Sequence, residues 1–410
     1  MSIVRFLAPD TDAYVSSVVK HHQEFTDLTG IKVDITIVPT DVYFENQITN
    51  ELNSAEPADV FMSGPVLLWE HIATGNVQNL DSFVENSSRE WDFGDFFPTL
   101  INSNRWTGKF GDKLGTGPLL EIPVNCESYN LTFLPDYLKK FNLPVPKTWA
   151  EYFETSKAIS ERSNGEIFGF GQRGLDVWHT MYTGYATQVW SYGGSDFDAN
   201  GKCAIGSEEV IAATEDFISA LQVSGASDWT NRRWYELAMD FANGKYGLIV
   251  DSDHYVAYFE DPKYSSMVGK FGYALPPVGP TGMMKPNLWT WSLVMNAQSK
   301  NQESAWKFIE WASGKKFLTR SALEGNMNPT RKSTWDSPEF HDLVKDWGNF
   351  ATVGRELIEK HAKVLVTPAT NYRKVADIWV RALLDSYLGK TTVREALTQA
   401  AKEMDAKVAR

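Results

Sequence analysis

Cysteine is almost missing: Cys126 and Cys203 are the only two. Two thiols do not make a zinc site by themselves, and these two do not form a CxxC redox motif. A disulfide between them stays open, beside the plainer reading of two small core residues. No apolar run approaches the ~20 residues that a membrane-spanning helix needs. A basic stretch followed by an apolar one is also lacking at the start, where Met1-Ser2 leads straight into Ile3-Val4-Arg5-Phe6-Leu7. The chain is therefore either cytosolic or expected to have had a secretion signal removed. Positive charge is outnumbered, 39 Lys and Arg against 52 Asp and Glu, a net charge of −13. That balance repels phosphate backbones and argues against nucleic acid as a partner. There is no internal repeat, no Gly/Ser/Pro-rich linker, no Walker motif, no nucleophile elbow and no Cys–His signature. No cofactor is expected.

What is present is length and indole. At 410 residues the chain exceeds one ordinary core, so two lobes are expected, with the chain crossing between them more than once. Fifteen tryptophans are a surplus, to be divided between cores and flat-ring recognition. Apolar residues at Tyr14, Val15, Val18, Val19, Phe25 and Leu28 have helical spacing, and Gly30 supplies the stop. Ile31, Val33, Ile35 and Ile37 alternate with polar residues, which reads as a strand. A helix over about 42–52, a strand over 59–62 and a helix through Trp69 ending near Gly75 follow. This alternation predicts an α/β layer with a mostly parallel sheet. Further on, 119–129 reads as a strand. Thr148 with Glu151 and Thr392 with Glu395 form capping boxes that open helices. Segments 208–224, 234–243 and 302–313 read as helices.

The richest stretch runs from Gly244 to Ser299. A short apolar strand, 247–250, ends on Asp251, and a tryptophan-rich strand, 288–295, carries Trp289 and Trp291. A carboxylate that accepts hydroxyl protons and a flat ring that covers a C–H face suit a polyhydroxylated ligand. Asp251 as a cap on the following helix is the plainer alternative. Gly169-Phe170-Gly171-Gln172-Arg173-Gly174 matches GxGxxG, but the acid Asp196 lies in a turn-like GGSDFD, so a loop presenting Arg173 is the better reading. His21 and His22 are helix neighbours and point apart. Asp251-Ser252-Asp253-His254 lacks the glycine and distal glutamate of a calcium loop, so no metal is expected.

Several segments in order, FTDLTGIKVDI (25–35), PADVFMSG with LLWEHIATGNVQNLD (57–81), LPVPKTWAEYFETSKAI (143–159), FANGKYGLIVDSD (241–253), SKNQESAWKFIEWASG (299–314) and NMNPTRKS (326–333), resemble the family 1 extracellular solute-binding proteins of bacterial ABC importers. GQRG, IVDSD, NLWTWSL and NPTRKS are most similar to the branch that binds sugar alcohols and related sugars. The resemblance implies an α/β, two-lobed periplasmic-binding-protein (type II) architecture with a multi-strand hinge and a ligand cleft between the lobes. It implies a ligand set of Glu121, Arg173, Asp251, Trp289 and Arg331. Trp291, Asp253, Ser63 and Asp10 join the expected contacts. The lobes are expected to comprise 1–112 with 276–325, and 113–275 with 326–410.

The function so implied is capture of a sugar, sugar alcohol or sugar derivative by lobe closure, and its delivery to ABC permease subunits. The protein is expected to be a periplasmic monomer. Two acids and two guanidinium groups offer fixed acceptors and donors to five or six hydroxyls. The two arginines also suit an anionic (carboxylated, sulfonated or phosphorylated) sugar. A reading of another class is a carbohydrate-active enzyme using Glu121 and Asp251, since glycoside hydrolysis needs two carboxylates flanking one bond.

Overall fold

The computed structural model describes residues 2–10, 13–43 and 52–410. Along the chain run β1 (Ile3–Pro9), α1 (Ala13–Thr29), β2 (Lys32–Val38), β3 (Val60–Ser63), α2 (Pro65–Ala73), α3 (Pro98–Ser103) and β4 (Ile122–Phe133). Then come α4 (Trp149–Arg162), β5 (Phe168–Gly171), α5 (Gly184–Ser191), α6 (Glu208–Ser224), α7 (Trp234–Ala242), β6 (Tyr246–Ser252), β7 (Gly272–Ala274) and β8 (Leu288–Met295). The last principal helices are α8 (Gln302–Ala312), α9 (Lys315–Leu323), α10 (Tyr372–Tyr387) and α11 (Val393–Lys407), with shorter turns between. Most of the expected helix expected over 42–52 lies outside the described residues.

Local chemistry sets many of these boundaries. Gly30 takes φ +72°, the left-handed conformation that stops α1 without a Cβ clash. Thr148 Oγ1 accepts from Glu151 N at 3.2 Å while the Glu151 carboxylate accepts from Thr148 N, also at 3.2 Å. Thr392 and Glu395 repeat the arrangement at the start of α11. Each box satisfies two amides that a helix start leaves without partners.

The chain divides into two compact units. Unit 1 comprises 1–126, 289–343 and 368–370; unit 2 comprises 127–288, 344–367 and 371–410. In unit 1 the strand order is β2-β1-β3-β8. The first three strands are parallel, and β8 is antiparallel to β3, with Ser63 opposite Ser292. One face of this sheet packs Val4, Phe6, Val60, Met62, Leu293 and Met295 with Val15, Phe25, Trp306, Phe308 and Phe317 from α1, α8 and α9. In unit 2, β4 pairs antiparallel with β6 and with β7, while β5 is parallel to β6. Helix α4 lies against β5 and α6. The sheet of unit 2 is thus mixed, not mostly parallel. Here β4 and β6 are distant in sequence, and an antiparallel partner reaches its neighbour without a right-handed crossover.

The units partition the chain differently from the expected lobes. Residues 113–126 and 326–343 fall in unit 1. Thr330 Oγ1 donates to Pro123 O at 2.9 Å, and Phe97 N donates to Thr330 O at 3.2 Å, which fastens both segments there. Residues 276–288 fall in unit 2 instead. Trp149 N bonds Val278 O at 3.1 Å, and Asn287 N bonds Thr187 Oγ1 at 3.2 Å. Such pairings are long-range and leave no mark on composition.

Candidate functional site

In unit 2, polar chemistry gathers where β5 ends and β6 finishes. Arg173 follows β5 by two residues, and Asp251 sits near the end of β6. The Arg173 guanidinium grips the Asp251 carboxylate side-on: Nε donates to both oxygens at 3.0 and 3.1 Å, and Nη2 donates to Oδ1 at 2.6 Å. Glu127 Oε2 stands 3.8 Å from the same Nη2. The guanidinium carbon lies 5.4 Å from the ring centre of Tyr255 and 5.9 Å from that of Tyr129. Burial works against the arginine's charge, but Asp251, both tyrosines and Glu127 outweigh it, and its pKa goes up. Asp251 also accepts from Ser252 N at 2.7 Å. Around this pair is an aromatic wall. Half-buried Trp234 is stacked on Tyr255, ring centres 6.4 Å apart and planes 20° apart. The buried Tyr255 hydroxyl has no hydrogen-bond partner among the described residues.

The loop carrying Arg173 owes its course to packing. A Cβ at Gly169 would fall 1.7 Å from Ser156 O, one at Gly171 2.5 Å from Ile249 Cγ2, and one at Gly174 1.8 Å from Trp229 O. Trp229 Nε1 also donates to Arg173 O at 2.8 Å. The GxGxxG pattern therefore records three close backbone approaches, not a phosphate cradle, and no helix opens on Gly174. Asp196, the acid a nucleotide reading would need, is buried and accepts from Thr367 N and Oγ1 at 2.7 and 2.8 Å.

Unit 1 carries a second set. Trp289 and Trp291 meet edge to face on β8, with ring centres 5.7 Å apart. Gly64, which caps α2 after the buried Ser63, leaves room for the first of them: a Cβ there would lie 2.3 Å from Trp289 Cζ2. Trp291 is half-buried and packs against the unit 1 core. On the other face of the same sheet, Asn104 Nδ2 donates to Ser292 Oγ at 3.0 Å and Thr290 Oγ1 donates to Asn104 Oδ1 at 3.1 Å. Glu121 is fully buried beside them, and neither carboxyl oxygen meets a partner in good geometry. Burial pushes its pKa from 4.5 to about 8, with the Ser292 hydroxyl offsetting part of the rise.

That shift carries a sign. The unfolded chain gives up the Glu121 proton near 4.5 and the folded chain only near 8, so the folded state binds the extra proton in between. Its contribution to stability is therefore expected to fall as pH rises from 4.5 to 8 and then to level off. Urea midpoints measured across that range should show the decline, and Glu121→Gln should remove it.

Several of the expected contacts are held by partners within the protein. Asp10 is exposed, and its Oδ1 accepts from Thr40 N and Oγ1, both at 2.9 Å, so it caps the turn after β2. Asp253 is buried and accepts from Ser128 N at 2.9 Å and from the Ser128 hydroxyl, tying the end of β6 to β4. Arg331 is wholly buried in unit 1. Its Nε donates to Ser313 O at 2.8 Å, and its Nη1 donates to Asp92 O at 3.0 Å and lies 3.3 Å from Asp95 Oδ2. Its guanidinium carbon sits 3.9 Å from the Phe96 ring centre. Burial lowers its pKa to about 10, still charged at neutral pH. Nε and Nη1 thus brace Ser313 and Asp92, while the buried Nη2 has no hydrogen-bond partner among the described residues. Arg331→Lys is expected to destabilise the fold by about 2–3 kcal/mol through lost charge-assisted bonds, leaving ligand affinity within twofold. Denaturant titration and calorimetry on the one variant check both halves.

Cys126 and Cys203 are both free and buried, so the disulfide left open by the sequence does not form. No group of three or more His, Cys, Asp or Glu side chains arranged to hold a metal ion occurs among the described residues. Glu127, Tyr129, Trp234, Tyr255 and Asn104 escaped the sequence reading. Proximity of Tyr255 to Asp251 and of Tyr129 to Glu127 along the chain was the available signal, and only the pairing of β4 with β6 gives it meaning.

The chain matches the family model described as bacterial extracellular solute-binding protein over residues 8–317. It is 30% identical over 376 residues to an erythritol/L-threitol-binding protein of Mycolicibacterium smegmatis, covering 90% of this chain and 78% of that one. Among solved structures it is similar to a solute-binding protein of Agrobacterium radiobacter in complex with ribitol. The TM-score is 0.87 at 21% identity, with 99% and 98% of the two chains covered. A second, from Agrobacterium vitis with bound D-mannitol, gives a TM-score of 0.83 at 20% identity and covers 100% of both chains. The two-lobed α/β fold is shared with these structures, and the family match spans β4, β5, β6 and β8, which carry or lead into the two polar sets. The chain belongs to the bacterial extracellular solute-binding protein family.

Proposed function

We propose that this chain is the ligand-capturing component of a bacterial ABC importer, and that its ligand is a neutral sugar alcohol or sugar. The observation that carries the ligand class is the state of Arg173. Its charge is answered by Asp251 at 2.6 Å and by Glu127 at 3.8 Å. The second arginine that an anionic ligand was expected to use, Arg331, is turned into the unit 1 interior. The unit 2 set thus offers fixed acceptors, fixed donors and a ring wall, and it carries net negative charge. A neutral chain of hydroxyls satisfies such a set, whereas a carboxylate, sulfonate or phosphate meets Glu127 and Asp251 as repulsion. The erythritol/L-threitol-, ribitol- and mannitol-binding relatives support the same class.

Binding without chemistry follows from the same geometry. Asp251 already accepts four N–H contacts from Arg173 and Ser252, which leaves it poorly placed to act as acid or base. The protein hands its ligand unchanged to a membrane permease. It works outside the cytoplasm, in the periplasm, as a monomer and without nucleic acid.

The test is calorimetric titration with tetritols, pentitols, hexitols, hexoses and their phosphorylated and carboxylated derivatives. Saturable 1:1 binding of a neutral polyol is expected, at micromolar affinity or about −8 kcal/mol, with the ligand recovered intact. Tighter binding of an anionic derivative would overturn the ligand class. Conversion of a glycoside on overnight incubation would overturn the binding-protein reading.

A further inference from the structure

Asn125 lies on β4 within unit 1, outside every contact discussed so far. It is fully buried, yet neither its Oδ1 nor its Nδ2 has a hydrogen-bond partner among the described residues. An amide buried with neither end bonded is costly, so a folded protein keeps one only for a reason. The neighbouring residues show which way it faces. Ile122 and Val124 belong to the unit 1 core. Strand alternation therefore places Pro123 and Asn125 on the opposite face, with Glu121 one step further back in the same series. Glu121 is the other group in this segment whose side-chain oxygens are buried without a well-formed hydrogen bond among the described residues, with the Ser292 hydroxyl beside it. One strand face thus presents four buried polar atoms without a well-formed hydrogen bond among the described residues, grouped at two points about 13 Å apart along the backbone.

We propose that Asn125 is a specificity-determining ligand contact, whose amide pairs with one hydroxyl-bearing end of a polyol while Glu121 serves hydroxyls further along. This rests on the polyol-binding reading above. An amide supplies one acceptor and two donors, and a hydroxyl is both donor and acceptor, so vicinal hydroxyls complete the amide in a way that a methylene does not. A ligand lacking the hydroxyl leaves the amide buried and unmet, and a site built to bond a hydroxyl rejects its deoxy analogue strongly.

The experiment separates a ligand contact from a structural one. Asn125→Ala and Asn125→Leu are compared with the parent protein, ligand-free and titrated with erythritol, ribitol and D-mannitol. The expected result is a ligand-free melting temperature unchanged or raised, because an unsatisfied amide is gone, together with about ten- to hundredfold weaker binding of the preferred polyol. Asn125→Leu keeps the branched four-atom skeleton without its polar groups, so it reports on the amide even where Asn125→Ala folds poorly. Parent-like affinity in both variants overturns the proposal. So does a fall in ligand-free melting temperature in both, which marks Asn125 as paired through buried water. Should the parent protein bind none of these polyols and no neutral sugar of the wider titration, the function reading fails and the proposal fails with it. Failure of the proposal alone leaves parent binding intact.

Discussion

Replacing Arg173 by methionine is expected to cost about 3–5 kcal/mol of stability and to abolish ligand binding. Both members of the pair are buried, Arg173 at 7% exposure and Asp251 at 1%. Removing the guanidinium strands Asp251 in a medium that solvates charge poorly. It also strips a cation from the faces of Tyr129 and Tyr255. Neutralising the partner as well should reverse most of the first effect and none of the second. Arg173→Met with Asp251→Asn is therefore expected to regain much of the lost stability, since an amide tolerates burial better than an orphaned carboxylate, and still to bind no polyol. Urea unfolding and calorimetry on the single and double variants give the comparison. If the double variant is as unstable as the single one, stranded charge is not the cause. If it binds, the pair is structural only.

Gly64→Ala is expected to do harm out of proportion to one methyl group. The glycine's backbone is extended, φ −152° and ψ 172°, so alanine meets no strain there. The obstacle is steric. A Cβ would lie 2.3 Å from Trp289 Cζ2, 2.5 Å from Cε2 and 2.8 Å from Thr290 O. The indole must move, and with it the edge-to-face contact with Trp291. Forcing such overpacking costs about 1–3 kcal/mol, and if Trp289 stacks on the ligand as proposed, its displacement should weaken polyol binding more than tenfold. Tryptophan fluorescence should shift with it. The companion change Trp289→Ala removes the ring clash but not the 2.8 Å approach to Thr290 O, so Gly64→Ala made in that background should cost clearly less than in the parent protein, though not nothing. A full additional loss there would mean that Gly64 answers to Thr290 O rather than to the ring.

Much of the secondary structure could be read directly. Leu288–Met295 and Glu208–Ser224 have the bounds that the spacing predicts, and both capping boxes form. These features rest on bonds between residues a few positions apart and on a side-chain period set by backbone geometry, so sequence alone determines them. Arginine roles are different. Arg173 and Arg331 are chemically the same group in similar loop contexts. The first meets a carboxylate 78 positions away, and the second meets carbonyls at Asp92 and Ser313. A guanidinium bonds whatever acceptors stand opposite it, and only the tertiary fold decides which they are. The same holds for Asp10 and Asp253, which bond backbone and side-chain donors brought to them by strand pairing. It holds for Asn125, whose unmet amide is visible only once Ile122 and Val124 are seen to fill the core.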